Sequence, residues 1–207
     1  MPMKVEIRGD RSLDFPALDH SDEITHARIV GCRFARWDAI SQLEHLTSLE
    51  VYDWLASSFD ALRPLGELEQ LRIHHMPHVT SLNALTSLRS LRRLILETLP
   101  GWDGSKVTQV DSLEPLRTLA LEEINMFGVR PASNDVDDLL AIPTLKRARL
   151  SKFAAREIKR INAVIPNEWV VWQEPSWVIV EEVATSTGSR SQRVVVWSRP
   201  AEANEIP

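Results

Sequence analysis

One apolar signature recurs along this chain at a nearly fixed spacing, and that period constrains the fold more than any other feature. Apolar residues two apart stand at Val5/Ile7, Ala27/Ile29, Leu49/Val51, Leu71/Ile73, Leu94/Leu96, Leu119/Leu121 and Ala148/Leu150. The first members of successive pairs are 22, 22, 22, 23, 25 and 29 residues apart. A two-residue step puts both side chains on one face of a short strand. Between pairs the step is three, as at Leu82, Leu85, Leu88 and Leu91 before Leu94, which suits a tight 3₁₀ or α segment. Each unit is then a strand, a turn and a returning outer segment. A coil this small cannot enclose its own leucines, so they are buried by stacking coil on coil.

An L-x-x-L-x-L core repeated at roughly 20–29 residues is the pattern of leucine-rich repeats. The segment from Pro2 to Trp172 resembles the bacterial internalin type, with coils near 22 residues. The resemblance implies an α/β solenoid with a parallel concave sheet of about eight strands. The eighth strand is placed at Val170 and Trp172, 22 residues beyond Ala148. The family carries asparagine three residues after the second strand anchor. Here that column reads Asp10, Cys32, Trp54, Met76, Leu99, Ile124 and Phe153, so apolar packing is expected where the asparagine ladder would be.

The solenoid is expected over residues 1–174, with a helix over Ala154 to Ala163 (Ile158 and Ile161 inward) that Pro166 ends. Residues 175–199 form a β-rich cap: Trp177 to Ala184 and Arg193 to Ser198 read as a hairpin around a polar loop. Such a hairpin is expected to cover the open edge after the last repeat strand. Residues 200–207 read as a disordered tail.

The chain of 207 residues carries a net charge of −5, which weighs against nucleic acid as a partner. Met1 to Asp10 holds no apolar run of signal-peptide length, and no stretch approaches a membrane span. A cytoplasmic protein is the expectation, with export by a signal-free system left open. Oligomeric state is open too, since an uncovered hairpin edge invites a second copy.

Stacking turns equivalent strand positions into columns about 4.8 Å apart. The residue between the anchors points to the concave face, giving Glu6, Arg28, Glu50, Arg72, Ile95, Ala120, Arg149 and Val171. The first four alternate in sign. The plainer reading is a solvated ladder worth about 0–1 kcal/mol per pair; the functional one is partner recognition. Flanking columns add Tyr52, His74, Glu97 and Glu122 on one side and Arg147 and Trp169 on the other. Two longer coils carry Pro100 to Gly104 and Met126 to Asp135, and insertions on one edge often mark a binding face. The expectation is therefore a non-enzymatic module that binds a protein through Glu50, Tyr52, Arg72, His74, Glu97, Trp102, Glu122, Phe127, Arg147, Arg149 and Trp169. The plainer reading of Trp102 and Phe127 is rings packed back on the solenoid.

The alternative is a metal-assisted or hydrolytic site around Asp53, His74, His75 and Glu97. The sequence lacks H-E-x-x-H, paired C-x-x-C, a G-x-S-x-G elbow and a phosphate loop, and no cofactor is expected. The single cysteine, Cys32, falls in a core column, where burial makes a thiol inert.

Overall fold

The computed structural model describes residues 2–99, 106–170, 172, 174–186, 192–202 and 205. The first insertion, with Trp102, lies outside the described residues. Seven repeat strands line up in parallel: β1 (Met3–Arg8), β2 (Ile24–Val30), β3 (Ser48–Val51), β4 (Gln70–Ile73), β5 (Arg93–Glu97), β7 (Glu123–Phe127) and β9 (Arg147–Leu150). Short 3₁₀ segments at Asp38–Gln42, Asp60–Leu62, Asn83–Ser87 and Glu114–Thr118 return the outer side of the middle coils. The leucines between strand and outer segment form one continuous buried core. This is the leucine-rich-repeat solenoid that the period predicts.

The register runs without slip from Ala27↔Leu49 to Leu71↔Leu94. It then departs from expectation: Leu94 pairs with Ile124 and Leu96 with Met126. The sixth anchors are Ile124 and Met126, not Leu119 and Leu121. Leu113, Leu116 and Leu119 continue the three-residue step of the outer segment and are buried with Leu121 behind the strand. The extra length of this coil therefore precedes its strand. Part of it forms β6 (Thr108–Val110), which pairs in parallel with β8 (Val129–Pro131) as a small second ladder on the solenoid's edge. Gly128, at φ 69°, turns the chain between β7 and β8 where a Cβ would lie 3.2 Å from Thr98.

Where asparagines would stack, the N-terminal coils stack aromatics. Trp37 lies flat on Trp54 at 4.3 Å, and Phe15, Phe34 and Phe59 pack around them. Asp10 sits in the same column, fully buried; its carboxylate accepts from the Ser12 N–H at 2.8 Å and from Arg193 at 3.3 Å. Cys32 is buried, with its thiol on the Ile7 carbonyl, and burial pushes its pKa up to about 11.

The two ends are closed differently from expectation. After α1 (Asp137–Leu140) and β9 comes α2 (Ala155–Asn162), but no eighth strand follows among the described residues. Only the Ala148 N–H, donating to the Pro166 carbonyl at 3.2 Å, begins such a pairing. No bond returning to the Ala148 carbonyl accompanies it among the described residues. The hairpin of β10 (Trp177–Ser186) and β11 (Gln192–Pro200) forms, yet β11 pairs antiparallel with β1, at the opposite end of the sheet. Val195 and Trp197 stand opposite Ile7 and Val5, so the cap extends the concave sheet past its first strand. Beyond β11, Ala201 donates to the Ser176 carbonyl and Glu205 pairs with Arg199 at 2.7 Å.

The reassigned register is testable by substitution. Met126→Ala, at a fully buried anchor, should cost about 2–5 kcal/mol in urea unfolding. Ala120→Ser, half-buried outside the strand, should stay within about 0.5 kcal/mol. The reverse order of costs contradicts the register.

Candidate functional site

The concave column now reads Glu6, Arg28, Glu50, Arg72, Ile95, Asn125 and Arg149. Its opposite charges pair across the ladder. Arg28 reaches Glu6 at 3.7 Å and Glu50 at 2.9 Å; Arg72 reaches Glu50 at 3.6 Å and Glu97 at 3.5 Å. Tyr52 accepts a hydrogen bond from Arg28 at 2.8 Å and stacks on His74 at 4.1 Å. One column over, Glu123 joins Arg147 at 2.8 Å and also binds Arg93. Most of the expected binding residues on this face thus hold one another. Glu50 is buried beneath its partners, and Glu122 sits aside in an exposed pair with Lys146 at 2.7 Å.

His74 is the centre of the network. Its two ring nitrogens lie 2.8 Å from Glu50 and 2.8 Å from Glu97. Ionised carboxylates only accept, so both nitrogens donate, and only the imidazolium has two N–H groups. Burial opposes that charge, but the two carboxylate bonds outweigh it and the pKa rises above the ordinary histidine value. Burial likewise resists ionising Glu50 and Glu97, yet His74 and the neighbouring arginines hold both below the usual carboxylate range.

The residues of the metal or hydrolytic alternative are divided between two places. His74 and Glu97 are bonded on the concave face. Asp53 and His75 line a separate hollow on the loop edge with Arg11, Arg33 and Cys32. Burial lowers the pKa of His75, and Lys106 adds to the effect. Among the described residues no group of three or more His, Cys, Asp or Glu is placed to share a metal ion.

The concave face also carries C-terminal contacts that the sequence reading missed. Beyond α2, Trp169 stacks its ring on the Arg149 guanidinium at 3.4 Å, over the last strand. Glu174 then pairs with Lys4 at 2.9 Å on the first strand, and Trp177 packs on His26 at 4.8 Å. Trp169 thus lies over β9, while Glu174 and Trp177 lie against β1 and β2, at the edge that the hairpin joins. The signal available in sequence was three tryptophans, Trp169, Trp172 and Trp177, around Pro175.

One part of the face stays open. A hollow of about 320 Å³ is lined by Arg72, His74, Glu97, Thr98, Leu99, Phe127 and Trp169. Leu99 is 47% exposed, Phe127 38% and Trp169 55%. Phe127 belongs to a strand column beside Glu97 rather than to a loop insertion, because of the shifted register. Of the expected binding residues, Arg72, His74, Glu97, Phe127 and Trp169 meet here, and Arg149 adjoins them through Trp169.

No protein-family model and no curated protein matches this chain. Among solved structures, an internalin C2 from Listeria monocytogenes is similar at 19% identity and a TM-score of 0.49, covering 70% of this chain and 59% of that one. Another internalin of that organism, inlF, is similar at 14% identity and a TM-score of 0.31, covering 62% and 48%. The chain thus spans 59% and 48% of the length of those two proteins. Among the described residues no helix is long and apolar enough to cross a membrane.

The imidazolium gives a pH signature. A raised histidine pKa stabilises fully below about pH 6.5 and is lost as pH climbs through the folded value; lowered carboxylate pKa values stabilise above about pH 4.3 and are lost in acid. His74→Gln should therefore cost about 1–3 kcal/mol near pH 6 and clearly less near pH 9, read by urea unfolding at each pH. A cost flat across that range contradicts the charged ring.

Proposed function

We propose that this chain is a non-enzymatic module that binds a protein through the C-terminal half of its concave face. The observation that carries the reading is the hollow in which Leu99, Phe127 and Trp169 stand exposed around a floor of Arg72, His74 and Glu97. Exposed aromatics beside arginine are the side chains that dominate binding energy at interfaces. The polar floor is already paired, so a partner meets groups whose orientation has been fixed by folding, which lowers the ordering cost of association. Apolar contact supplies affinity here, and the fixed charges select against partners that misplace theirs.

Charge reversal at Arg72 is a poor probe of this site, because it would set a third carboxylate beside Glu50 and Glu97. Phe127 is better: it projects from β7 into the hollow and makes none of the ladder's ion pairs. Affinity capture with mass spectrometry should recover a protein with the wild type and at least about tenfold less with Leu99→Ser/Phe127→Ser, both proteins having matching unfolding curves. Equal recovery by the folded variant contradicts the assignment.

A further inference from the structure

Among the described residues, every lysine and arginine of the concave columns but one touches a carboxylate, several of them sharing one. Lys4, Arg8, Arg28, Arg72, Arg93 and Arg147 each hold a carboxylate. Arg149 holds none among the described residues; its guanidinium lies over the Trp169 ring at 3.4 Å. Arg149 as a residue is half-buried, and a guanidinium resting on an aromatic face keeps its edge N–H groups for an acceptor. A planar fork of donors held this way matches a carboxylate bidentately. Its neighbour in the same column, Asn125, is 2% exposed and its Oδ1 has no donor among the described residues. The Nε atoms of Arg28 and Arg72 also lack a hydrogen-bond partner among the described residues, but both guanidiniums touch carboxylates and Arg149 does not. Buried polar groups without partners call for an explanation.

We propose that Arg149, clamped by Trp169, is the receptor for a single carboxylate of the bound protein, next to an apolar side chain seated in the Leu99–Phe127 hollow. The proposal rests on the binding role assigned to that hollow. Trp169 forms a wall of the hollow on one side and the stacking surface for Arg149 on the other, so the carboxylate and the apolar anchor lie within a few residues on one partner segment. One unmatched cation fits one carboxylate. A phosphate dianion would meet a single positive charge with Glu97 and Glu123 close by. An acidic residue also gives the partner a reason to choose this end of the face, since the other arginines of the concave columns already touch a carboxylate.

The test is a selection of displayed random dodecapeptides on the full chain, in wild-type, Arg149→Gln and Phe127→Ser forms of matched stability. Wild type should enrich peptides with Asp or Glu at a recurring offset from a large apolar residue. Arg149→Gln should keep the apolar preference and lose the acidic one, whereas Phe127→Ser should lose the apolar preference. A selected peptide is then synthesised with its Asp or Glu and with Asn or Gln in its place, each as free acid and C-terminal amide to separate side-chain from terminal carboxylates. Replacing the acid should weaken binding to wild type about tenfold or more and leave binding to Arg149→Gln unchanged, which is the coupling expected of a direct pair. Apolar enrichment without an acidic preference, or an acidic effect equal in both proteins, overturns the receptor while leaving the hollow as a binding site. Wild type enriching nothing beyond Phe127→Ser overturns both.

Discussion

Each coil of this solenoid depends on its neighbours to hide its leucines, so the register between adjacent strands is the constraint on which everything else rests. Where Leu49 meets Leu71 and Leu71 meets Leu94, a slip of one residue would turn every anchor out of the core. A stack of this kind has two ends, and each end presents a strand edge that would otherwise pair with another chain. At the N-terminal end the edge of β1 is taken by β11. At the other end a single hydrogen bond to Pro166 and the following departure of the chain limit what can add to β9. The cap for the first coil is thus made by the last residues, and the chain must travel the length of the sheet to deliver it.

The register that stacks leucines on the inner face stacks charges on the concave face. Because Glu6, Arg28, Glu50 and Arg72 occupy one column, each arginine finds a carboxylate on both neighbouring strands. His74 ties the column to Glu97 and is held charged by the two carboxylates it bridges. Singly, pairs of this exposure contribute little. Linked and partly buried, they fix side-chain positions and leave few unmatched groups. The ladder stops at a buried isoleucine at position 95, a buried asparagine with an unmatched oxygen, and an arginine lying over a tryptophan ring.

Much of the fold was legible in the sequence because leucine spacing reports it directly. Five of the first six strand pairs fall at their predicted anchors. The sixth was misplaced because Leu119-Ala120-Leu121 and Ile124-Asn125-Met126 both satisfy the two-residue rule, and only pairing with Leu94 chooses between them. That shift moves Ala120 out of the concave column and Asn125 into it, and brings Phe127 from a supposed loop to the rim of the hollow. The hairpin was legible as a hairpin, but which edge it covers depends on contacts about 170 to 190 positions apart, such as Lys4 with Glu174 and Asp10 with Arg193. Trp169 looked like a strand residue because it lies one period from Arg147; no strand is present there among the described residues, and the ring lies against Arg149 instead. Asp53 and His75 were grouped with His74 and Glu97 in the metal or hydrolytic alternative yet face another hollow, since residues adjacent in sequence after a strand point in different directions.

The fold depends on the C-terminal residues closing the chain on its own first strand. Zero-length carbodiimide cross-linking with mass spectrometry tests it directly, because that reagent joins only amines and carboxylates already in contact. The Lys146–Glu122 pair, at 2.7 Å on one side of the solenoid, serves as the internal control. The account predicts a Lys4–Glu174 isopeptide formed within one molecule at every protein concentration. Formation of the Lys146–Glu122 link without any Lys4–Glu174 link would contradict it.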